Sequence, residues 1–295
     1  MARSGVCSRV LVRRSAPHMD DTRSNFAHHA KKRFGQHFLI SSSVLNGILR
    51  LAELTAEDVV VEIGAGTGVL TEALARKAGR LVALELDRDL IAPLRQRFAD
   101  RPQVEILHAD ALTFDFDQLP SPITVVANLP YGTAVPILMR LLTRRSRLRC
   151  AVTMLQREVA DRLSATAGTK AYGSLTLVTQ WYATVVKGFN VPPSAFTPRP
   201  KVVSTVVKII PHPAPPVVVQ EETWLFRIIQ AAFAQRRKML VNALRHAFPS
   251  VDPQLIHRIL ADSGIAPTRR GETLRLDDFA RVSDALQQLW PIDKG

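Results

Sequence analysis

Cysteine is nearly absent from this 295-residue chain: there are two, Cys7 and Cys150, far apart in sequence. That pair excludes a disulfide framework and a thiolate metal cluster, so no metal is expected and a reducing, cytoplasmic compartment is. No uninterrupted apolar run approaches the roughly 20 residues that a membrane-spanning helix needs, so no membrane partner is expected. Acid is also in short supply, with 26 Asp+Glu against 39 Lys+Arg and a formal charge of +13. A surplus of that size points to a polyanionic partner. Disorder is excluded for the chain as a whole, because 46% hydrophobic and 22% charged residues are ordinary globular proportions.

The base surplus is uneven. Residues 1–33 hold eight Lys or Arg against Asp20 and Asp21, a net of +6. Their first 18 positions carry no acid, the composition of a transit peptide, but a disordered basic arm over residues 1–30, or a true start at Met19, is favoured over targeting. Two further clusters fall in segments with helical patterning. Arg140 to Arg149 contains Arg144, Arg145 and Arg147 at the end of an expected helix. In Ala234 to Arg245, Phe233, Leu240 and Leu244 mark an apolar helical face, with Arg236, Arg237 and Lys238 off it. Both read as solvated helix faces or as phosphate contacts of a nucleic acid.

From Val59, short β-branched runs alternate with amphipathic helical patterns. Strands are expected at 59–63, 81–86, 104–109, 123–128 and 150–155, with a closing antiparallel pair from residues 183–191 and 201–210. Strands alternating with helices define an α/β fold built of βαβ units, a Rossmann-like parallel sheet with right-handed crossovers. The proline-rich PHPAPP at 211–216 breaks regular structure. Helical periodicity at 221–247, 252–262 and 277–290 then predicts a small all-helical module. The expected domains are therefore 31–211, catalytic, and 217–290, helical.

EIGAGTG, Glu62 to Gly68, directly follows the first of these strands and opens a helix. Glycines such as Gly64 and Gly66 let backbone approach a ligand closely, and the helix N-terminus offers free N–H groups. Glu85 ends the next strand, where a carboxylate accepts ribose hydroxyls. Dinucleotide folds use GxGxxG, whereas this loop reads GxGxG and has Glu62 two residues before its first glycine. That pattern favours a cationic, phosphate-free nucleoside, S-adenosylmethionine, over a nicotinamide dinucleotide.

A second motif, Asn128-Leu129-Pro130-Tyr131, follows strand ITVVA. An adenine amine is a poor nucleophile because its lone pair is conjugated with the ring. The Asn128 side-chain oxygen and the Leu129 carbonyl can each accept one N6–H bond, turning that lone pair toward a methyl donor. Pro130 stiffens the turn, and Tyr131 offers a stacking face for an extruded base.

The chain resembles the ribosomal RNA adenine N6,N6-dimethyltransferases, and among them the bacterial small-subunit (16S) enzymes. The matching segments include KRFGQHFL (32–39), EIGAGTGVLTEAL (62–74), ALELDRDL (83–90), HADAL (108–112), ANLPY (127–131), VPPSAFTPRPKVVSTVV (191–207) and AFAQRRKML (232–240). The resemblance implies S-adenosylmethionine as methyl donor. His37 and Leu39 border its methionine and adenosine ends, and Gly64 its amino-acid moiety. Glu85 holds the ribose, Asp110 the adenine, and Asn128 both cofactor and target. Phe196 closes the other face of the target base. The implied substrate is a pair of adjacent adenines near the 3′ end of 16S rRNA in an assembling small subunit, with the protein a monomer. The family usually has Asn at the position of His37, and often Asn where this chain has Gly132, whose small size is expected to admit an already methylated amine. The competing functional readings are a large-subunit (23S) dimethyltransferase conferring antibiotic resistance, and an assembly or transcription factor that keeps the fold.

Overall fold

The computed structural model describes residues 30–31 and 35–289. The expectations for residues 1–29 and the Met19 start lie outside that range, as do Lys32, Arg33 and Phe34 of the first matching segment. In chain order the elements are β1 (Phe38–Leu39), α1 (Ser42–Ala52), β2 (Val59–Ile63), α2 (Val69–Ala75), β3 (Arg80–Glu85), α3 (Arg88–Arg97) and β4 (Val104–His108). They continue with β5 (Ile123–Asn128), α4 (Ala134–Leu142), β6 (Leu148–Gln156), α5 (Arg157–Leu163), α6 (Ser174–Tyr182), β7 (Ala183–Val191), β8 (Phe196–Thr197) and β9 (Ser204–Pro211). The helices α7 (Glu222–Ala234), α8 (Leu240–Ala247), α9 (Pro253–Asp262) and α10 (Leu276–Leu289) follow.

Seven strands form one sheet in the order β4-β3-β2-β5-β6-β9-β7. The first five are parallel, and β9 and β7 join antiparallel. The strand order reverses between the parallel strands β2 and β5, so the carboxyl ends of these two central strands border a crevice where such sheets place their ligands. Their composition explains their burial. β2 is VVVEI and β5 is ITVVAN, near-continuous β-branched runs suited to a strand covered on both faces.

Packing on one face buries Val44 and Ile48 of α1 and Leu70 and Leu74 of α2 against Val60, Val126 and Val152. The other face packs Ile137, Leu138 and Leu141 of α4 and Leu177 and Trp181 of α6 against Val61, Ile63, Val125 and Ala127. Each such fully buried aliphatic side chain contributes about 1.5–3 kcal/mol. The C-terminal helices belong to this second cluster, through Leu225, Ile228, Ile229 and Phe279.

The helical periodicity over 221–247 breaks in the structure. α7 ends at Ala234 and α8 begins at Leu240, so Arg236, Arg237 and Lys238 lie in a turn and not on a helix face. The competing interaction is tertiary: Leu240 N–H donates to the Arg269 carbonyl at 2.7 Å. Likewise α4 stops at Leu142, and a short 3-10 turn covers Arg145–Arg147.

Candidate active site

A cavity of about 420 Å³ opens at the carboxyl edge of β2, β3, β4 and β5. Its walls come from the segment before and through β1, the Gly loop, the end of β3, residues 109–112 and the Asn128–Thr133 turn. The size is typical of a small-molecule site.

The Gly loop is held from below and from the side. Gly64 N–H donates to the Leu84 carbonyl at 2.8 Å, and the φ angles of Gly64 and Gly66 are +80° and +57°. A Cβ on Gly66 would sit 3.1 Å from the Phe38 ring, a tight contact on top of a φ that favours glycine. Glu85 closes the loop's far side: one carboxylate oxygen accepts the Gly66 N–H and the other the Asp87 N–H, both at 2.8 Å. Only 6% of Glu85 is exposed. Burial raises its pKa above the ordinary range, and the two backbone donors oppose the shift. Asp110, just beyond β4, accepts the Leu112 N–H at 2.8 Å.

On the opposite wall, the Asn128 side-chain Nδ2 donates to the His37 carbonyl at 3.0 Å. Only Nδ2 can donate to a carbonyl, so the amide orientation is fixed. Among the described residues, no donor reaches Asn128 Oδ1 or the Leu129 carbonyl oxygen. Tyr131 donates to or accepts from Ser204 Oγ at 2.7 Å, which fixes its ring, and burial pushes its phenol pKa up. The His37 ring lies 5.6 Å from the Tyr131 ring at an interplanar angle of 30°. His37 Nδ1 bonds to the Pro198 carbonyl at 2.7 Å.

The lining chemistry selects the ligand. Among the described residues it contains two carboxylates, Glu85 and Asp110, and no Lys or Arg. A pyrophosphate would meet no cation among these residues, whereas the ammonium and sulfonium of S-adenosylmethionine meet groups of the right sign. The donor set fits that cofactor.

Of the expected site residues, the cavity brings together His37, Leu39, Gly64, Gly66, Glu85, Asp110, Asn128, Leu129, Pro130 and Tyr131. Phe196 is not among the lining residues. It is 1% exposed and packs in the α1–α2 face cluster, paired through β8 with Leu39 of β1. Glu62 is also absent from the cavity: it is fully buried beneath the loop, and neither oxygen has a hydrogen-bond partner. Desolvation raises its pKa to about 8, reinforced by the Glu85 charge. Its carboxyl therefore stays protonated at neutral pH and supplies no charge to a ligand. Gly132 lines the cavity, and a Cβ there would meet no protein atom within 4 Å.

Several supporting groups leave no trace in sequence spacing. Lys31 pairs with Asp87 and Asp89 at 2.5 Å each, and Gln36 Nε2 donates to Asp87 at 3.0 Å, tying the residues before β1 to the end of β3. The expected RNA-contacting arginines of the 140–149 run bond within the chain. Arg144 and Arg147 pair with Asp117 at 3.5 and 3.2 Å, Arg147 also donates to the Leu119 carbonyl, and Arg145 lies over the Tyr182 ring. Arg236 reaches Glu272 at 3.0 Å and the Thr169 and Lys170 carbonyls, while Arg237 and Lys238 are exposed. Among the described residues, no group of His, Cys, Asp and Glu could hold a metal, and no helix is long and apolar enough to cross a membrane.

The sheet order, Gly loop and carboxyl-edge cavity define a Rossmann-like methyltransferase. Solved structures agree in fold: a dimethyladenosine transferase from Plasmodium falciparum superposes with a TM-score of 0.72 at 27% identity, covering 83% of this chain and 96% of that one. A 23S rRNA methyltransferase, ErmE, superposes at 0.66 with 24% identity, over 85% of this chain and 100% of that one, a likeness of fold. Residues 27–286 match the family model for ribosomal RNA adenine dimethylase. A ribosomal RNA small subunit methyltransferase A from Geobacillus sp. (strain WCH70) is 43% identical over 268 residues, covering 88% of this chain and 92% of that protein. One of the same name from Bacillus mycoides (strain KBAB4) is 43% identical over 266 residues, covering 87% and 91%. The chain belongs to the ribosomal RNA adenine dimethylase family, and it is an enzyme.

Proposed function

We propose that this protein dimethylates the N6 amines of two adjacent adenines near the 3′ end of 16S rRNA in an assembling small ribosomal subunit, acting as a monomer in the cytoplasm. The observation that carries the reading is the pair of acceptors at the Asn128–Tyr131 turn, beside a cavity whose described lining holds the carboxylates Glu85 and Asp110. When bound, S-adenosylmethionine supplies an electrophilic methyl on sulfur. Glu85, anchored by two backbone N–H groups, accepts from its ribose, and Asp110 accepts from its adenine amine. Gly64 and Gly66 let the loop backbone approach it, with His37 and Leu39 on the facing segment.

Asn128 Oδ1 and the Leu129 carbonyl accept the two N6 hydrogens of the target adenine and turn its lone pair out of conjugation. After the methyl passes from sulfur to N6 and the amine gives up one proton to water, a single N–H remains, and one of the two acceptors suffices to hold it. Tyr131 stacks on the flipped base, a contribution of roughly 1–3 kcal/mol. Methyl transfer needs in-line alignment more than a strong base, so orientation by these residues carries the rate. Phe196 acts as a buried anchor of the loop beside the base. Residues 31–211 form the catalytic domain, and residues 217–290 a helical RNA-binding domain presenting Arg236, Arg237 and Lys238. Relatives named as small subunit methyltransferases support 16S over 23S rRNA.

The test is methyl transfer from labelled S-adenosylmethionine to small subunits that lack the modification, with product sites mapped by primer extension. Dimethylated adenines near the 16S 3′ end are expected, and Asn128→Ala should lower the transfer rate by about a hundredfold. Label found only on 23S rRNA, or none on either, overturns the reading.

A further inference from the structure

We infer that His37 is a positioning residue for methyl transfer: its ring pins the segment whose carbonyl sets the orientation of the Asn128 amide. The inference rests on the reading of Asn128 above and assigns His37 a role in it distinct from cofactor contact.

Two groups of the same residue are engaged in different directions. The His37 carbonyl accepts Asn128 Nδ2 at 3.0 Å, and its ring Nδ1 bonds to the Pro198 carbonyl at 2.7 Å. A carbonyl only accepts, so Nδ1 carries the proton in this contact. The amide of Asn128 has one end that donates and one that accepts. The His37 carbonyl holds the donating end, and Oδ1 is left to accept from a target amine. Were the carbonyl to move away, the amide would be without the contact that distinguishes its two ends, and flipped orientations would present a donor to the substrate's own N–H.

The position of that carbonyl depends on few contacts. Beyond it, β1 pairs with β8 over only two residues, Phe38 with Thr197 and Leu39 with Phe196, and Ile40 N–H donates to the Ala195 carbonyl at 2.9 Å. Before it, Gln36 is tied to Asp87 on the other side of the cavity. The bond from His37 to Pro198 is the side-chain tie at the residue that orients Asn128. The strand that follows this loop reaches the other half of the turn, because Ser204, the first residue of β9, bonds to the Tyr131 hydroxyl at 2.7 Å. The loop fixes the acceptor through His37, and the start of β9 fixes the stacking ring through Ser204.

The side chain is replaceable by chemistry and not by shape. In histidine Nδ1 is bonded to Cγ, and in asparagine Nδ2 is bonded to Cγ, so Asn can place an N–H at the same point. Phe keeps the ring beside Tyr131 but has no donor. The experiment compares wild-type protein with His37→Asn and His37→Phe in single-turnover and steady-state methyl transfer to unmodified small subunits. Calorimetry with S-adenosylhomocysteine and thermal melting accompany it. The Phe variant is expected to lose about tenfold in kcat with S-adenosylhomocysteine affinity within about twofold and an unshifted melt, and the Asn variant to stay within about threefold of wild type. A Phe variant with wild-type kcat overturns the inference. So does a parallel loss of S-adenosylhomocysteine affinity, which would make His37 a cofactor contact, or an Asn variant as impaired as Phe. Wild-type protein that transfers no methyl to adenine overturns the function proposed above and this inference with it; a wild-type rate shared by all three proteins overturns this inference alone.

Discussion

Replacing Glu62 with Gln should change the pH dependence of stability in a direction that burial dictates. Glu62 is 0% exposed, and its pKa is pushed up to about 8 by desolvation, against an ordinary value near 4.5. Between those two values the unfolded chain has released the proton and the folded chain still holds it. Folding then takes up one proton, so the stability this group supports is complete below about pH 4.5 and declines as pH rises toward 8. The limiting slope is about 1.4 kcal/mol per pH unit. Gln removes the titration and keeps the volume. The stability of Glu62→Gln minus that of wild type should therefore grow by roughly 2–3 kcal/mol between about pH 5.5 and 7.5, and level off above about 8. Urea unfolding of both proteins at intervals from about pH 5 to 9 measures it, and subtraction cancels every other titrating group. A difference that stays flat, or that shrinks as pH rises, refutes the account of Glu62 as a buried neutral acid.

Glu85→Gln leaves one of the Gly66 and Asp87 N–H groups facing an amide donor, so S-adenosylhomocysteine should bind about 10–100-fold more weakly by calorimetry; affinity within about twofold would refute the anchoring role. Gly79→Ala puts a Cβ 1.9 Å from the Ala56 carbonyl oxygen and should cost about 2–3 kcal/mol in urea unfolding, whereas Gly132→Ala, with open space around it, should stay within about 0.5 kcal/mol. Equal effects from the two would show that the tight turn before β3 relaxes freely. Alanine at both Arg237 and Lys238, exposed in the turn after α7, should make the slope of log K for rRNA binding against log salt less steep by roughly 0.9 for each duplex phosphate no longer neutralised, with cofactor affinity unaltered. An unchanged slope would return those side chains to simple solvation.

The parts of the site that lie on strand ends were legible because each strand is a short β-branched run followed directly by its motif. Val59–Ile63 leads into the Gly loop, and Ile123–Asn128 into the Asn128–Tyr131 turn. What could not be read are contacts between segments distant in sequence. The two-residue pairing of β1 with β8 is too short to leave a periodic pattern, yet it buries Phe196. Lys31 meets Asp87 across 56 residues, and Tyr131 meets Ser204 across 73. Glu62 reads as a charge in the sequence, and burial removes that charge in the fold. Over residues 233–244 the apolar spacing of Phe233, Leu240 and Leu244 imitates one continuous helix. The carbonyl of Arg269, which captures the Leu240 N–H and favours the break, has no counterpart in local periodicity.

The hydrophobic cluster beneath α4 and α6 does not end where the sheet ends. Trp181 meets Phe226 edge to face at 6.1 Å, Tyr182 bonds to Glu222, and the buried Tyr172 hydroxyl donates to the Leu274 carbonyl at 2.7 Å. Helices α7–α10 thus share one apolar interior with the sheet. Heating should melt the whole chain in one calorimetric transition whose enthalpy scales with its full length. Cutting it at the proline-rich stretch after β9 should yield two fragments that aggregate, each carrying half of an apolar seam into water.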